Sequence, residues 1–273
     1  MESFFSFLEK RVDDCSSLLC VGLDPHKADL EENTAAGALR FCLNLVRKTA
    51  PYAAAFKPNA AFFEQFGAEG WFALREVVLA IGEQSDRMGS RVLVVLDAKR
   101  GDISSTAEAY AISAFQTLGA DCITLNPYLG KDSIDPFTQN PEKGVFLLCK
   151  TSNPGGSDLQ DLPLANGTLL YEHVAGLAKD WNTNNNIGLV TGATQPEAIK
   201  RIRKVNPNAW LLAPGVGAQG GDLETSLRAG LRPDGKGVLL PISRAISRAD
   251  DVALAAASLR DEVMAASHAA LRR

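Results

Sequence analysis

The chain has only three histidines, His26, His173 and His268, and no two of them are spaced as a pair of metal ligands. Its five cysteines, Cys15, Cys20, Cys42, Cys122 and Cys149, are odd in number and include no C-x-x-C pair. Cys20, Cys122 and Cys149 fall in apolar, strand-like runs. Buried, reduced thiols and a cytoplasmic location are therefore expected. No apolar run is long enough to span a bilayer. The Phe-rich start leads into Glu9, Lys10, Arg11, Asp13 and Asp14 without a signal-peptide core. No basic tract stands out against a formal charge of −4, so neither nucleic acid nor an anionic membrane is an expected partner. Local lysines and arginines would have to hold any anionic substrate. No linker, charge block, low-complexity stretch or internal repeat divides the chain, and one domain over 1–273 is expected.

What is present is a regular alternation. Short apolar runs at 18–23, 53–57, 92–98, 122–125, 145–150, 187–190, 210–213 and 237–241 read as strands. Helical patterns fall at 35–49, 71–87, 104–118, 169–181, 195–204 and 249–271, with shorter ones at 60–66, 133–137 and 223–229. Eight strands alternating with helices predict an α/β fold, a (β/α)8 TIM barrel, over an open doubly wound sheet. In such a barrel the chemistry sits where the strands end, and here those ends are polar. They read Asp24-Pro25, Lys57-Pro58-Asn59, Asp97-Ala98-Lys99, Asn126-Pro127-Tyr128, Thr151-Ser152-Asn153 and Ser243-Arg244.

The third of these ends carries the most information. Val94-Val95-Leu96 runs straight into Asp97-Ala98-Lys99-Arg100-Gly101-Asp102. Side chains alternate along a strand, so Asp97 and Lys99 are expected on one side, with Asp102 completing a tight charged cluster. The bland alternative is a solvated turn. Lys57, at the end of the neighbouring strand, would make an alternating Lys-Asp-Lys-Asp array in which each charge stays paired while desolvated. Such an array could poise a lysine as proton donor to a developing carbanion. Lys57 could equally be a plain ion-pair partner of Asp97.

Three further segments add binding chemistry. Pro214-Gly215-Val216-Gly217-Ala218-Gln219-Gly220 contains a literal G-x-G-x-x-G. It follows the seventh strand, which favours a phosphate loop over a dinucleotide fingerprint. Arg244, just past the eighth strand, would add a bidentate cation for the same phosphate. Asp24 suits sugar hydroxyls, or alternatively a turn before Pro25. Ser152 opens a polar loop to Gly167 that is long enough to be a lid, and there it meets a polar ring edge or simply makes a turn.

Taken together, these segments resemble the orotidine 5′-phosphate decarboxylase family, in its longer subgroup. Asp97-Ala98-Lys99-Arg100-Gly101-Asp102-Ile103 is similar to the family's D-x-K-x-x-D-I signature. Supporting matches are Val21-Gly22-Leu23-Asp24-Pro25, Phe56-Lys57-Pro58-Asn59, Thr151-Ser152-Asn153-Pro154, Pro214-Gly215-Val216-Gly217 and Ser243-Arg244-Ala245-Ile246. The resemblance implies decarboxylation of orotidine 5′-phosphate to UMP, with no metal and no organic cofactor. It implies a homodimer with shared active sites, to which one subunit gives Lys57, Asp97 and Lys99 and the other gives Asp102 and Thr106. Lys99 would be the proton donor. Asp24 would hold the ribose, Ser152 the pyrimidine edge, and Gln219 and Arg244 the phosphate. The family usually has glycine before the phosphate arginine, where this chain has Ser243.

Two other readings remain. Mg²⁺-dependent keto-sugar-phosphate decarboxylases and hexulose-phosphate synthases share D-x-K-x-x-D but need a further rim carboxylate, and this chain offers no acid after the second strand until Glu64. A non-catalytic sensor of phosphoribosyl ligands could use the same barrel.

Overall fold

The computed structural model describes residues 2–215 and 222–272. Eight parallel strands close into a barrel in sequence order, with β1 pairing both β2 and β8. The strands are β1 (Leu19–Leu23), β2 (Ala55–Pro58), β3 (Leu93–Arg100), β4 (Cys122–Leu125), β5 (Gly144–Lys150), β6 (Ile187–Thr191), β7 (Leu211–Leu212) and β8 (Val238–Ile242). The helices are α1 (Phe4–Cys15), α2 (Ala35–Thr49), α3 (Ala61–Glu64), α4 (Gly67–Met88), α5 (Ser104–Ile112), α6 (Asp135–Thr138), α7 (Ser157–Gln160), α8 (Leu170–Trp181), α9 (Pro196–Val205), α10 (Leu223–Gly230), α11 (Arg244–Ser247) and α12 (Val252–Leu271). The expected TIM barrel is the fold that forms. Among the described residues, no helix is long and apolar enough to cross a membrane.

Strand periodicity divides the core into two layers. Val94 and Leu96 face outward into a shell shared with Val77, Ile81 and other helix residues, while Leu93 and Val95 face the barrel interior. The interior also takes Cys20 and Ala55 from β1 and β2, and Cys122, Phe146 and Leu212 from β4, β5 and β7. Continuing each inward register by two residues reaches Gly22, Lys57, Asp97 and Thr124. The polar rim is thus the top layer of the same stacking that fills the barrel with apolar side chains.

The opposite end of the barrel is closed by α1, which the sequence reading left without a role. Ser3 caps this helix by accepting a hydrogen bond from the Ser6 N–H (3.2 Å). Phe4, Phe5, Leu8 and Val12 are buried along one face at helical spacing. Phe5 lies 5.8 Å from Phe146, edge to face, and 6.0 Å from Trp210, stacked. Arg11 is buried beside them and donates to the Ala50 and Ala53 carbonyls and to Ser90, which ties α1 to the chain entering β2 and β3.

Glycine at position 144 is what lets the plug seat. A Cβ there would lie 2.2 Å from Cδ1 of Phe4. Gly144→Ala should therefore cost about 1–3 kcal/mol through overpacking. Phe4→Ala alone should cost about 3–5 kcal/mol by opening a cavity. The double variant should lose less than the sum, because the second change removes the clash created by the first. Urea unfolding checks all three, and a neutral Gly144→Ala would refute the seating.

Candidate active site

The β2–β3 register aligns Ala55 with Leu93 and Phe56 with Val94, and a bridge pairs Asn59 with Asp97, so Lys57 stands two residues below Asp97 and its side chain reaches up to it. The Lys57 ammonium donates to Asp97 Oδ2 at 2.7 Å and the Lys99 ammonium to Asp97 Oδ1 at 2.5 Å. One carboxylate is therefore held between two cations. Lys57 and Asp97 are nearly enclosed, with side-chain exposures of 9% and 11%, whereas Lys99 is half exposed at the barrel mouth. Lys99 reaches Asp97 from a left-handed backbone (φ 47°), not from the regular strand geometry that alternation assumes. The β3–β4 register also shifts between Leu96 and Arg100.

Burial alone would raise the Asp97 pKa, but Lys57 and then Lys99 outweigh it and hold the carboxyl well below its usual range. Burial alone would lower the Lys57 pKa. Asp97, with Asp24 behind it, reverses that effect and raises it. Both groups are thus charged throughout the neutral range.

Asp102 does not join this cluster within one chain. Its Oδ1 accepts the Ile103 N–H at 2.8 Å, and it makes no ion pair among the described residues. Within one chain the charged cluster is therefore Lys57, Asp97 and Lys99. Thr106, on the first turn of α5, is exposed on the same outer rim, with Ile103 beside it.

A cavity of about 290 Å³ opens next to the array, lined by Asp24, His26, Lys57, Gly215, Ser243 and Arg244 among others. Asp24 Oδ1 and Ser243 Oγ are buried there without a hydrogen-bond partner among the described residues. Unsatisfied buried oxygens are costly, and two beside one cavity mark a place for ligand donors. Gly22 keeps this wall thin, since a Cβ would lie 2.8 Å from the Ser243 Cβ and 3.1 Å from Asp24 Oδ2. Arg244 is exposed, with no carboxylate partner among the described residues. Gln219 lies outside the described residues.

Ser152 stands at the end of β5, close against Gly192 after β6. The segment that follows is more ordered than a structureless lid. It forms α7, and Lys150 at the end of β5 donates to both oxygens of Asp161 at 2.7 Å. The Thr151 N–H also donates to Gln160 Oε1 at 2.9 Å.

A family model for the orotidine 5′-phosphate decarboxylase / HUMPS family matches residues 17–259. The chain belongs to the orotidine 5′-phosphate decarboxylase / HUMPS family. It is 47% identical to the orotidine 5′-phosphate decarboxylase of Roseiflexus castenholzii, over 99% of both chains. It also resembles a solved Leishmania donovani OMP decarboxylase, with 50% identity and a TM-score of 0.87, over 98% of this chain and 99% of that one. A Leishmania donovani UMP synthase matches with 52% identity and a TM-score of 0.90. There the match covers 98% of this chain but only 57% of the synthase.

Two further side chains, given no role in the sequence analysis, adjoin this cluster. The Thr124 hydroxyl donates to Asp97 Oδ1 at 3.1 Å, although Ile123-Thr124-Leu125 looks like any β-strand. Arg100, inside the signature, pairs with Glu64 and lies over the Tyr110 ring (5.1 Å). Glu64, the first acid after β2, is thereby engaged by a guanidinium.

Asp97→Ala leaves Lys57 enclosed without its counter-charge and should cost about 3–5 kcal/mol of stability at neutral pH. The pH window follows from the two shifts. Asp97 has a lowered pKa, so its contribution is complete above the ordinary 3.8 and fades only as the pH falls through the lowered value. Lys57 has a raised pKa, so its contribution is complete below the ordinary 10.5 and fades only as the pH rises through the raised value. The pair's contribution to the parent's stability should therefore be flat between those limits, whereas in Asp97→Ala burial lowers the pKa of the uncompensated Lys57 and the deficit should shrink as the pH rises toward the ordinary 10.5. Urea unfolding of both proteins across pH measures it, and a deficit that grows with rising pH would contradict the paired state.

Proposed function

We propose that this chain decarboxylates orotidine 5′-phosphate to UMP, the reaction named for its curated relatives. The observation that carries the reading is the Lys57–Asp97–Lys99 array at the mouth of a closed barrel. In the reaction the bond from C6 to the carboxyl carbon breaks, CO2 departs and the electron pair stays on C6. The ring stabilises that pair poorly, so the barrier reduction required lies toward the top of about 8–23 kcal/mol. Lys99 is the proton donor. Its ammonium faces the forming carbanion, stabilises it electrostatically and transfers a proton to C6. Asp97 lies beside the departing carboxylate and orients Lys99. Lys57 keeps Asp97 charged and fixed.

Binding uses the rest of the rim. Asp24, with its unsatisfied oxygen, accepts hydrogen bonds from the ribose hydroxyls. Arg244 and Gln219 hold the phosphate, and Ser152 meets the pyrimidine edge. Phosphate binding far from C6 supplies free energy for assembling the site, and so serves turnover as well as affinity. No cofactor takes part in this scheme. The Mg²⁺-dependent alternative would need a free rim carboxylate, and the nearest candidate, Glu64, is paired with Arg100.

The functional unit in this reading is a homodimer, with Asp102 and Thr106 reaching the partner's substrate. Ile103, Tyr128 and Leu129 support it. They are exposed apolar residues on the segments that follow β3 and β4, and Ile103 adjoins Asp102 in the chain. A cytoplasmic setting agrees with five free, buried cysteines.

The direct test follows the absorbance change as orotidine 5′-phosphate is consumed. The unaltered protein should turn over without added metal, and Lys99→Ala should be folded and inactive. Near-normal turnover by Lys99→Ala would refute the proton-donor role. Mixing inactive Lys57→Ala with inactive Asp102→Ala, under conditions that exchange subunits, should restore activity at about one site in four, since half the dimers are mixed and each has one complete site. Verified exchange without recovery would refute the shared site.

A further inference from the structure

We infer that Thr124 is a positioning residue for the decarboxylation proposed above, one whose single hydroxyl sets the relative geometry of Asp97 and Lys99. Thr124 is buried on β4, in the inward register one step above Cys122. Its Oγ1 accepts two main-chain hydrogen bonds, from the N–H of Ala98 (3.1 Å) and the N–H of Lys99 (2.9 Å). A hydroxyl has two acceptor sites and one proton. With both acceptor sites filled, the proton has one direction left, toward Asp97 Oδ1 at 3.1 Å. The polarity of this small network is therefore dictated by the backbone.

Three consequences follow. First, the two N–H groups lie where the β3–β4 register shifts, so the regular ladder does not satisfy them and the hydroxyl does. Second, Lys99 is one of four non-glycine residues with positive φ among the described residues, a conformation that persists only where the surroundings impose it. The hydrogen bond from its N–H to Thr124 supplies that restraint. Third, Oδ1 is the oxygen that also accepts from the Lys99 ammonium, while Lys57 takes Oδ2. One hydroxyl thus grips the backbone of Lys99 and the carboxylate that orients its side chain. A protonated Asp97 would have no acceptor to offer its hydrogen to at Thr124, so the same contact favours the charged form.

The experiment compares Thr124→Ser, Thr124→Ala and Thr124→Val by orotidine 5′-phosphate turnover, and titrates each variant with UMP to count intact sites. Serine keeps the hydroxyl and should retain most of the turnover per site. Alanine and valine should bind UMP at full stoichiometry and near-normal affinity but lose kcat, by about 100-fold for a misplacement near 1 Å. KM should move far less than kcat, because the ground-state contacts to ribose and phosphate do not involve Thr124. Unchanged kcat per UMP site in the alanine and valine variants overturns the inference. So does a loss of turnover matched by a loss of UMP sites, since the hydroxyl would then serve folding alone. If valine does not fold, alanine decides by the same criteria. An unaltered protein that fails to consume orotidine 5′-phosphate would remove the function reading itself, and with it this role. Turnover by the unaltered protein with indifferent variants removes only the role of Thr124.

Discussion

A carboxylate held between two ammonium groups at the end of a barrel strand is the constraint on which the rest of the molecule depends. Desolvating Asp97 alone would be prohibitive, and so would desolvating Lys57 alone. Together, with Lys99 at the open side, they form a charged layer on top of a stack of Leu93, Val95, Cys20, Ala55 and Cys122. That apolar column keeps water out from below and gives the ion pairs their rigidity. The strand register converts it into catalytic geometry. A slip of one residue in β2 or β3 would turn Lys57 or Asp97 out into the apolar shell under the helices, which would destroy the site and destabilise the fold together.

The two ends of the barrel divide the work. At the bottom, α1 is pure packing: Phe4, Phe5, Phe146 and Trp210 interlock, and Arg11 satisfies carbonyls that enclosure would otherwise strand. At the top, polar atoms are left unsatisfied instead. Asp24 Oδ1 and Ser243 Oγ lack partners beside a cavity that Gly22 keeps open. The stability lost at the rim is offset by the sealed base, and such a separation lets a chain keep costly groups ready for a ligand.

Much of this was legible in the residues, for specific reasons. Buried parallel strands are continuous apolar runs, so all eight were visible, even β7, whose ladder is only Leu211–Leu212. The polar residues after those runs pointed to one rim, because strands of a barrel end together. The helix α1 carried a readable signal in Ser3 and in the spacing of Phe4, Leu8 and Val12, and was overlooked because it precedes the first strand. The ordering of the segment after Ser152 depends on Lys150 finding Asp161, a contact that no local pattern announces. Thr124 was invisible for another reason. A threonine in a strand is ordinary, and its importance arises only from a register shift in the neighbouring strand.

The charge balance of one chain bears on the shared site proposed above. Around Asp97 stand Lys57 and Lys99, with Arg244 further along the rim and Asp24 as the other nearby anion. The cations suit a substrate that brings a carboxylate and a phosphate; CO2 leaves neutral, the carboxylate's negative charge passes to C6, and it is cancelled only when Lys99 gives up its proton. A second protein carboxylate near Lys99 would keep that ammonium oriented until the transfer. Within the chain the only acid in the signature that remains uncommitted to an ion pair among the described residues is Asp102. Ile103, next to Asp102 in the chain, is exposed, and so are Tyr128 and Leu129 after β4. In the homodimer proposed above, Asp102 is the acid that would fill this place in the partner's site.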